Sequence, residues 1–273
     1  MCSSDLIACM GLALMGPQSI HARDSTDVEG IDIVLALDLS FSMQAADIEP
    51  DRFTATKQVV TDFVERRPND RIGAVIFGRD AYTLLPLTTD HQALTTMIDE
   101  LELGVIEGRG TAIGNAIGVA LNRLRSSKAK SKVVILATDG QSNSGNVSPT
   151  QAAEFARALQ VKVYTILMGR DDDAPVQSGV DLFGRPVFDR GNFPVNPELL
   201  REVASSTGAE AFEVTDRSGL EKSFHTILDA LERSRMEDAG RVYGELFAAF
   251  VFPALGLLLL EVLLGTLVLR RFP

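Results

Sequence analysis

Cysteine is almost missing from this chain. The two present, Cys2 and Cys9, lie within the first ten residues. The remainder therefore has no disulfide and no thiolate metal site, and its core must be large enough to hold without covalent staples. Tryptophan is absent, and the three histidines (His21, His91 and His225) are scattered. That spacing offers no imidazole cluster for zinc or copper and assigns no histidine a catalytic role. Positive charge is also short, with 26 Lys and Arg against 37 Asp and Glu, a net charge of -11. Such a chain repels phosphate, which excludes nucleic acid as a partner. There is no P-loop. The glycine-rich run from Gly108 to Gly114 misses GxGxxG and does not follow the first strand, so it is not a nucleotide fingerprint.

Apolar residues are plentiful, at 45% of 273 residues. That excludes a disordered chain and fits one sizeable globular domain plus a greasier element. The greasy element is Leu246–Leu269, whose only charge is Glu261. As a helix it would run about 36 Å, enough for a hydrocarbon core of about 30 Å, so the reading is a transmembrane helix. Arg270 and Arg271 follow at once and place the C-terminus in the cytoplasm and the preceding domain outside. Arg233, Arg235 and Arg241 on the other flank weaken that asymmetry. Glu261 either snorkels to the near interface or pairs with a partner helix. Leu6–Met15 is apolar but too short to span and lacks a positive leader; it is read as the end of a truncated transmembrane helix.

Between these ends, short apolar runs alternate with helical periods. Strands are expected at Ile31–Leu37, Ile72–Phe77, Ala81–Leu85 (antiparallel), Val133–Ala137, Val161–Leu167 and Ala209–Val214. Helices are expected over Asp51–Val64, His91–Leu101 and around Ile113–Leu124. A Ser148-Pro149 start carries a fourth helix to Leu159, an Asn196-Pro197 start a fifth to Gly208, and Asp216 caps a last one to about Arg233. Gly169–Pro194 reads as a long loop or a hairpin insertion, in which Asp171–Asp173 is a solvated acidic run. Strands apolar throughout, alternating with helices, mean a mostly parallel sheet covered on both faces, an α/β doubly wound domain.

In such a sheet ligands bind beyond the carboxyl ends of the strands, where the strand order reverses. Asp38 follows the first strand directly, and Asp139 comes two residues after the Val133–Ala137 strand. In the order 3-2-1-4-5-6 these two strands are neighbours, so the carboxylates face each other and repel unless a proton or cation lies between them. Asp38-Leu39-Ser40-Phe41-Ser42 puts three oxygen-bearing side chains on alternate positions, and Thr111 adds a hydroxyl from a glycine-flanked loop. Two carboxylates, three hydroxyls and water make an oxygen shell for magnesium, with manganese or calcium as alternatives. If the hydroxyls bind directly and the aspartates act partly through water, the ion keeps charge for one more anionic oxygen. Phe41, Glu107 and Arg109 are candidates for the rim of the site.

The DxSxS of Asp38, Ser40 and Ser42, with Thr111 and the Thr-Asp-Gly at 138–140, resembles the metal-ion-dependent adhesion site of von Willebrand A domains, over about Ile31 to Arg233. The resemblance implies a metal at the top of the sheet, ligated by an acidic residue of a protein partner. GIDIVLALDLSFSM, RPNDRIGAVIF, PLTTDH, GTAIGNAI, SKAKSKVVILATDG and VYTI, with the C-terminal Leu-Arg-Arg, are similar to bacterial aerotolerance proteins of the BatA type. That implies an inner-membrane protein with its domain on the periplasmic side, working with other membrane proteins and a MoxR-type AAA+ ATPase. Phe41 stands where that family often has glycine. The resulting map is a short hydrophobic segment (1–16), a linker (17–30), the domain (31–233), a linker (234–245), the membrane helix (246–269) and a tail (270–273). Three functions compete: a metal-dependent binding module, a magnesium hydrolase using Asp38 and Asp139, and an anchor whose metal only stabilises the fold. The hydrolase lacks a nucleophile–base pair beyond the two aspartates, so a non-enzymatic module is expected.

Overall fold

The computed structural model describes residues 18–20, 30–169, 174–180, 186–191, 195–239, 243–245 and four helical positions between 255 and 263. The chain divides into two compact units, Asp27–Glu232 and Met1–Thr26 with Arg233–Pro273. In the second, β1 (Gln18–Ile20) pairs antiparallel with β10 (Tyr243–Glu245). Most of Leu246–Leu269 lies outside the described residues, and among those described no helix is long and apolar enough to cross a membrane. The N-terminal apolar segment and the run Asp171–Asp173 also fall on residues the structure does not describe.

The Asp27–Glu232 unit is built on a six-stranded sheet. In chain order its strands are β2 (Asp32–Asp38), β3 (Arg71–Phe77), β4 (Ala81–Thr88), β5 (Lys132–Thr138), β6 (Val161–Met168) and β9 (Ala211–Val214). Their spatial order is β4-β3-β2-β5-β6-β9, which is 3-2-1-4-5-6 in order of appearance. Only the β3–β4 pairing is antiparallel. The fold is the expected α/β doubly wound, mostly parallel sheet. The chain leaves β2 toward β3 on one side, while β5 sits on the other, so β2 and β5 flank the reversal point.

Every residue of β2 is buried, and successive side chains enter opposite cores. Ile33, Leu35 and Leu37 pack with Val60 and Phe63 of α1 (Arg52–Glu65) and Phe224 of α6 (Arg217–Ala239). Leu94 and Ile98 of α2 (His91–Asp99) join that layer. Val34 and Ala36 meet Ile113, Ala116 and Ile117 of α3 (Ile113–Leu124), with α4 (Pro149–Ala158) and α5 (Pro197–Ser206) beside it. This is why the strands read as unbroken apolar runs. Each buried Leu or Ile contributes roughly 1.5–3 kcal/mol, and a one-residue register slip would exchange the two cores.

Helix starts follow their caps. Asp51 accepts from the Thr54 amide, Asn196 from Leu199, and Ser148 forms a reciprocal box with Gln151. Several boundaries differ from expectation, among them the ends of α2 and α5, which stop at Asp99 and Ser206 rather than Leu101 and Gly208. Strand β4 runs on to Thr88 through Pro86, because it is an edge strand whose pairing with β3 shifts register there. Strand β9 starts at Ala211 rather than Ala209, whose amide is held by the carbonyl of Ala204. Helix α6 continues to Ala239, past Arg233. The Gly169–Pro194 segment contains a hairpin of β7 (Ala174–Val180) and β8 (Pro186–Gly191). Its first strand touches the loop after β2 through an Ala45–Val176 bridge and an Ala46 amide donating to the Pro175 carbonyl at 2.7 Å.

Candidate metal centre

The parallel register carries β2 and β5 side by side to their carboxyl ends, with Leu37 opposite Ala137. Asp38 ends β2 and Asp139 directly follows β5. The Asp38 carboxylate is bound on both oxygens. Oδ1 accepts from the Ser40 amide at 2.8 Å, and Oδ2 accepts from the Thr138 hydroxyl at 2.6 Å. A 3-10 turn over Phe41–Gln44 follows, and it brings the Ser40 and Ser42 hydroxyls to 3.0 Å from each other. Asp139 Oδ1 accepts from the Gln141 amide at 3.3 Å.

Thr111 comes in on the loop between α2 and α3. Its amide donates to Asn143 Oδ1 at 2.9 Å, and its carbonyl accepts from the Asn143 and Ser144 amides. The same loop meets the serine turn where the Phe41 amide donates to the Gly108 carbonyl at 3.1 Å. Gly110 has φ +120, and a side chain there would strike Ser144 Oγ, so only glycine lets the loop turn this tightly. Asp38, Ser40, Ser42, Thr111 and Asp139 are all buried, on three segments far apart in the chain. The expected rim is more open. Phe41 is 41% exposed with its ring edge against Gly108, and Glu107 and Arg109 are exposed, with Glu107 Oε1 accepting from the Arg109 amide.

The electrostatics point to a missing positive charge. Burial, followed by the charge of Asp139, pushes Asp38 up to about 7. Burial also raises Asp139, opposed by the Ser42 hydroxyl, the Gln141 amide and the Arg52 guanidinium. Asp139 Oδ2 is buried without a hydrogen-bond partner, which costs a carboxylate dearly. A dication between these oxygens removes both penalties. Among the described residues no group of three His, Cys, Asp or Glu is placed to hold a metal, so a cation here would draw the rest of its shell from the hydroxyls. An all-oxygen set fits a hard ion such as magnesium and not a soft one. Asp38, Ser40, Ser42, Thr111 and Asp139 would hold it, and the ion would supply Lewis acidity toward one further anionic oxygen.

Sequence reasoning missed three residues of this site. Thr138 anchors Asp38, Asn143 holds Thr111, and Arg52 stands fully buried with Nη1 3.9 Å from Asp139 Oδ2. The Thr-Asp-Gly triplet held a signal for Thr138. Arg52 sits in the first turn of an amphipathic helix, where arginine ordinarily reads as surface charge.

Residues 32–226 match the model of the von Willebrand factor type A domain. The chain belongs to this family. A protein of Borreliella burgdorferi is 32% identical over 210 residues, 76% of this chain and 60% of that protein. The chain thus spans about 60% of the length of that relative. The von Willebrand A domain here also superimposes on an aerotolerance-related membrane protein from Bacteroides fragilis, with TM-score 0.62 and 26% identity over 72% of this chain and 98% of that one. BatB from Bacteroides thetaiotaomicron gives TM-score 0.61 and 25% identity over 73% and 100%. The fold is shared further by proximal thread matrix protein 1 of the mussel byssus, whose MIDAS motif is occupied by zinc; identity is 21% over 80% of this chain and 48% of that one, with TM-score 0.57. The protein is therefore a von Willebrand A module related to aerotolerance-type proteins.

Proposed function

We propose that this domain is a divalent-cation-dependent protein-interaction module, not an enzyme, held at a bacterial inner membrane with its metal face on the periplasmic side. The observation that carries this reading is the buried pair Asp38 and Asp139. Their carboxylates lie beside the Ser40–Ser42 hydroxyl pair, and one Asp139 oxygen has no hydrogen-bond partner. Magnesium seated there keeps a share of its charge, because three of its protein donors are neutral. It binds an acidic side chain of a partner protein, and Phe41, Glu107 and Arg109 shape the surface around that contact.

Membrane anchoring rests on the apolar run Leu246–Leu269 and its flanking arginines. The relation to aerotolerance-type proteins supports a role in complex assembly or stress tolerance beside a MoxR-type AAA+ ATPase system. The test is a crosslinking capture from membranes, with and without a chelator, using wild type and Ser40→Ala. Capture of a partner that needs magnesium and Ser40 is the expected result. Capture unaffected by chelator leaves the metal a structural role only. Hydrolytic turnover that disappears with Asp38→Ala overturns the non-enzymatic reading.

A further inference from the structure

Arg52 is among the largest fully buried side chains of the described residues. It is the first residue of α1, and its amide donates to the Ala45 carbonyl at 2.9 Å. Its Nε and Nη2 donate to the two oxygens of Asp47, each at 2.7 Å. A side chain at Gly169, where φ is +97, would overlap the guanidinium, so Gly169 leaves the space the arginine fills. The third nitrogen, Nη1, has no hydrogen-bond partner and lies 3.9 Å from Asp139 Oδ2, itself unpartnered and buried. Two complementary charged groups thus face each other inside the protein, too far for a hydrogen bond and close enough for strong attraction.

We infer that Arg52 is a built-in competitor for the cation at Asp139, a positioning residue that weakens metal affinity by sharing that carboxylate. Guanidinium stays charged in any protein environment. Any positive charge fixed beside a cation site opposes the arrival of more positive charge there. Asp47 sets how much of the arginine's charge the site feels, because it takes two of the three nitrogens. With Asp47 in place, Arg52 draws part of the Asp139 charge without filling the site. The bound ion is then held loosely and retains more appetite for an outside carboxylate. The inference rests on the metal site proposed above and adds its tuning.

The test is calorimetric titration of the full chain in detergent with magnesium alone, at fixed pH and salt, on wild type, Arg52→Met and Asp47→Asn. Arg52→Met removes the competing charge and is expected to bind magnesium about tenfold more tightly. Asp47→Asn leaves Arg52 less neutralised and is expected to bind several-fold more weakly. A purely structural arginine predicts the reverse for the first variant, since a loosened site loses affinity. Unchanged or weaker binding by folded Arg52→Met, or unchanged or tighter binding by Asp47→Asn, overturns the inference. If Arg52→Met does not fold, Asp47→Asn decides alone. Wild type that binds no magnesium refutes the metal site itself, an outcome distinct from failure of the tuning.

Discussion

Thr138 Oγ1 donates to Asp38 Oδ2 at 2.6 Å, joining the ends of two neighbouring strands whose residues are one hundred positions apart. The same hydroxyl accepts from the Gly140 amide at 3.2 Å. It therefore orients the first carboxylate and shapes the turn that presents the second. Thr138→Val keeps the volume and removes both bonds, leaving an amide and a carboxylate oxygen unpaired. The expected cost is about 1–3 kcal/mol, measured by urea unfolding in EDTA. Magnesium affinity should fall about tenfold, since the hydrogen bond favours the ionised carboxylate. Thr138→Ser should recover most of both. A valine variant with wild-type magnesium affinity means that Asp38 does not serve the metal.

The pair Asp38 and Asp139 also fixes a pH dependence. Asp38 is raised from 3.8 to about 7 by burial and by the neighbouring charge. The metal-free folded state therefore binds more protons than the unfolded chain between about pH 4 and pH 7. The associated stability is complete below pH 4 and is lost as pH rises through 7. Magnesium competes with that proton, so its affinity should decline as pH falls below 7. Melting temperatures in EDTA should drop from pH 5 to pH 8, and magnesium should restore them most at pH 8. Asp38→Asn should abolish the magnesium effect while melting no lower than wild type at pH 8 in EDTA. A magnesium effect that is as large at pH 5 as at pH 8 contradicts this arrangement.

The parts of the molecule legible in the sequence are those governed by short-range rules. Residues 33–37 are apolar at every position because both faces of β2 are covered, and the caps Ser148 and Asn196 each announce a helix by satisfying its free amides. Asp38 and Asp139 could be picked out because strand ends at a reversal point are where such a fold binds ligands. What could not be read depended on partners distant in sequence. Whether Gly169–Pro194 formed a loop or a hairpin stayed open, because the residues that dock it, Ala45 and Ala46, carry no distinguishing side chains. The passage of β4 through Pro86 needed the knowledge that β4 is an edge. Arg52 looked like an ordinary helix-surface charge, and only the folded chain sets it between Asp47 and Asp139.

At the opposite end of the sheet, Asp70 separates stability from binding. Its Oδ1 accepts from the Ile31 amide at 2.7 Å, and its Oδ2 pairs with Arg67; both side chains are buried. This fastens the entry to β2 beside the turn before β3. Asp70→Ala removes both the acceptor of the Ile31 amide and a carboxylate paired with buried Arg67, and should cost about 3–5 kcal/mol, seen as a lower urea midpoint. The metal residues lie at the far end of the same strands, so folded Asp70→Ala should bind magnesium as wild type does. A large loss of affinity in the folded variant would mean that the two ends of the sheet are coupled.

Asn143 provides the sharpest test of whether Thr111 belongs to the metal shell. Its side-chain oxygen accepts from the Thr111 amide at 2.9 Å, and its own amide donates back to the Thr111 carbonyl at 3.1 Å. Asn143 thereby ties the threonine loop to the loop that follows Asp139, although its side chain is exposed. Asn143→Ala removes only the first of these bonds and should cost about 1 kcal/mol, small enough to leave the domain folded. Thr111 would then be free to drift, and magnesium affinity should fall about fivefold, the equivalent of roughly 1 kcal/mol. Asn143→Asp keeps the acceptor and adds a negative charge near the ion, so its affinity should equal or exceed that of wild type. Calorimetry on both variants gives the answer: a loss with alanine that aspartate reverses ties Thr111 to the cation, and identical affinities across all three proteins remove Thr111 from the shell.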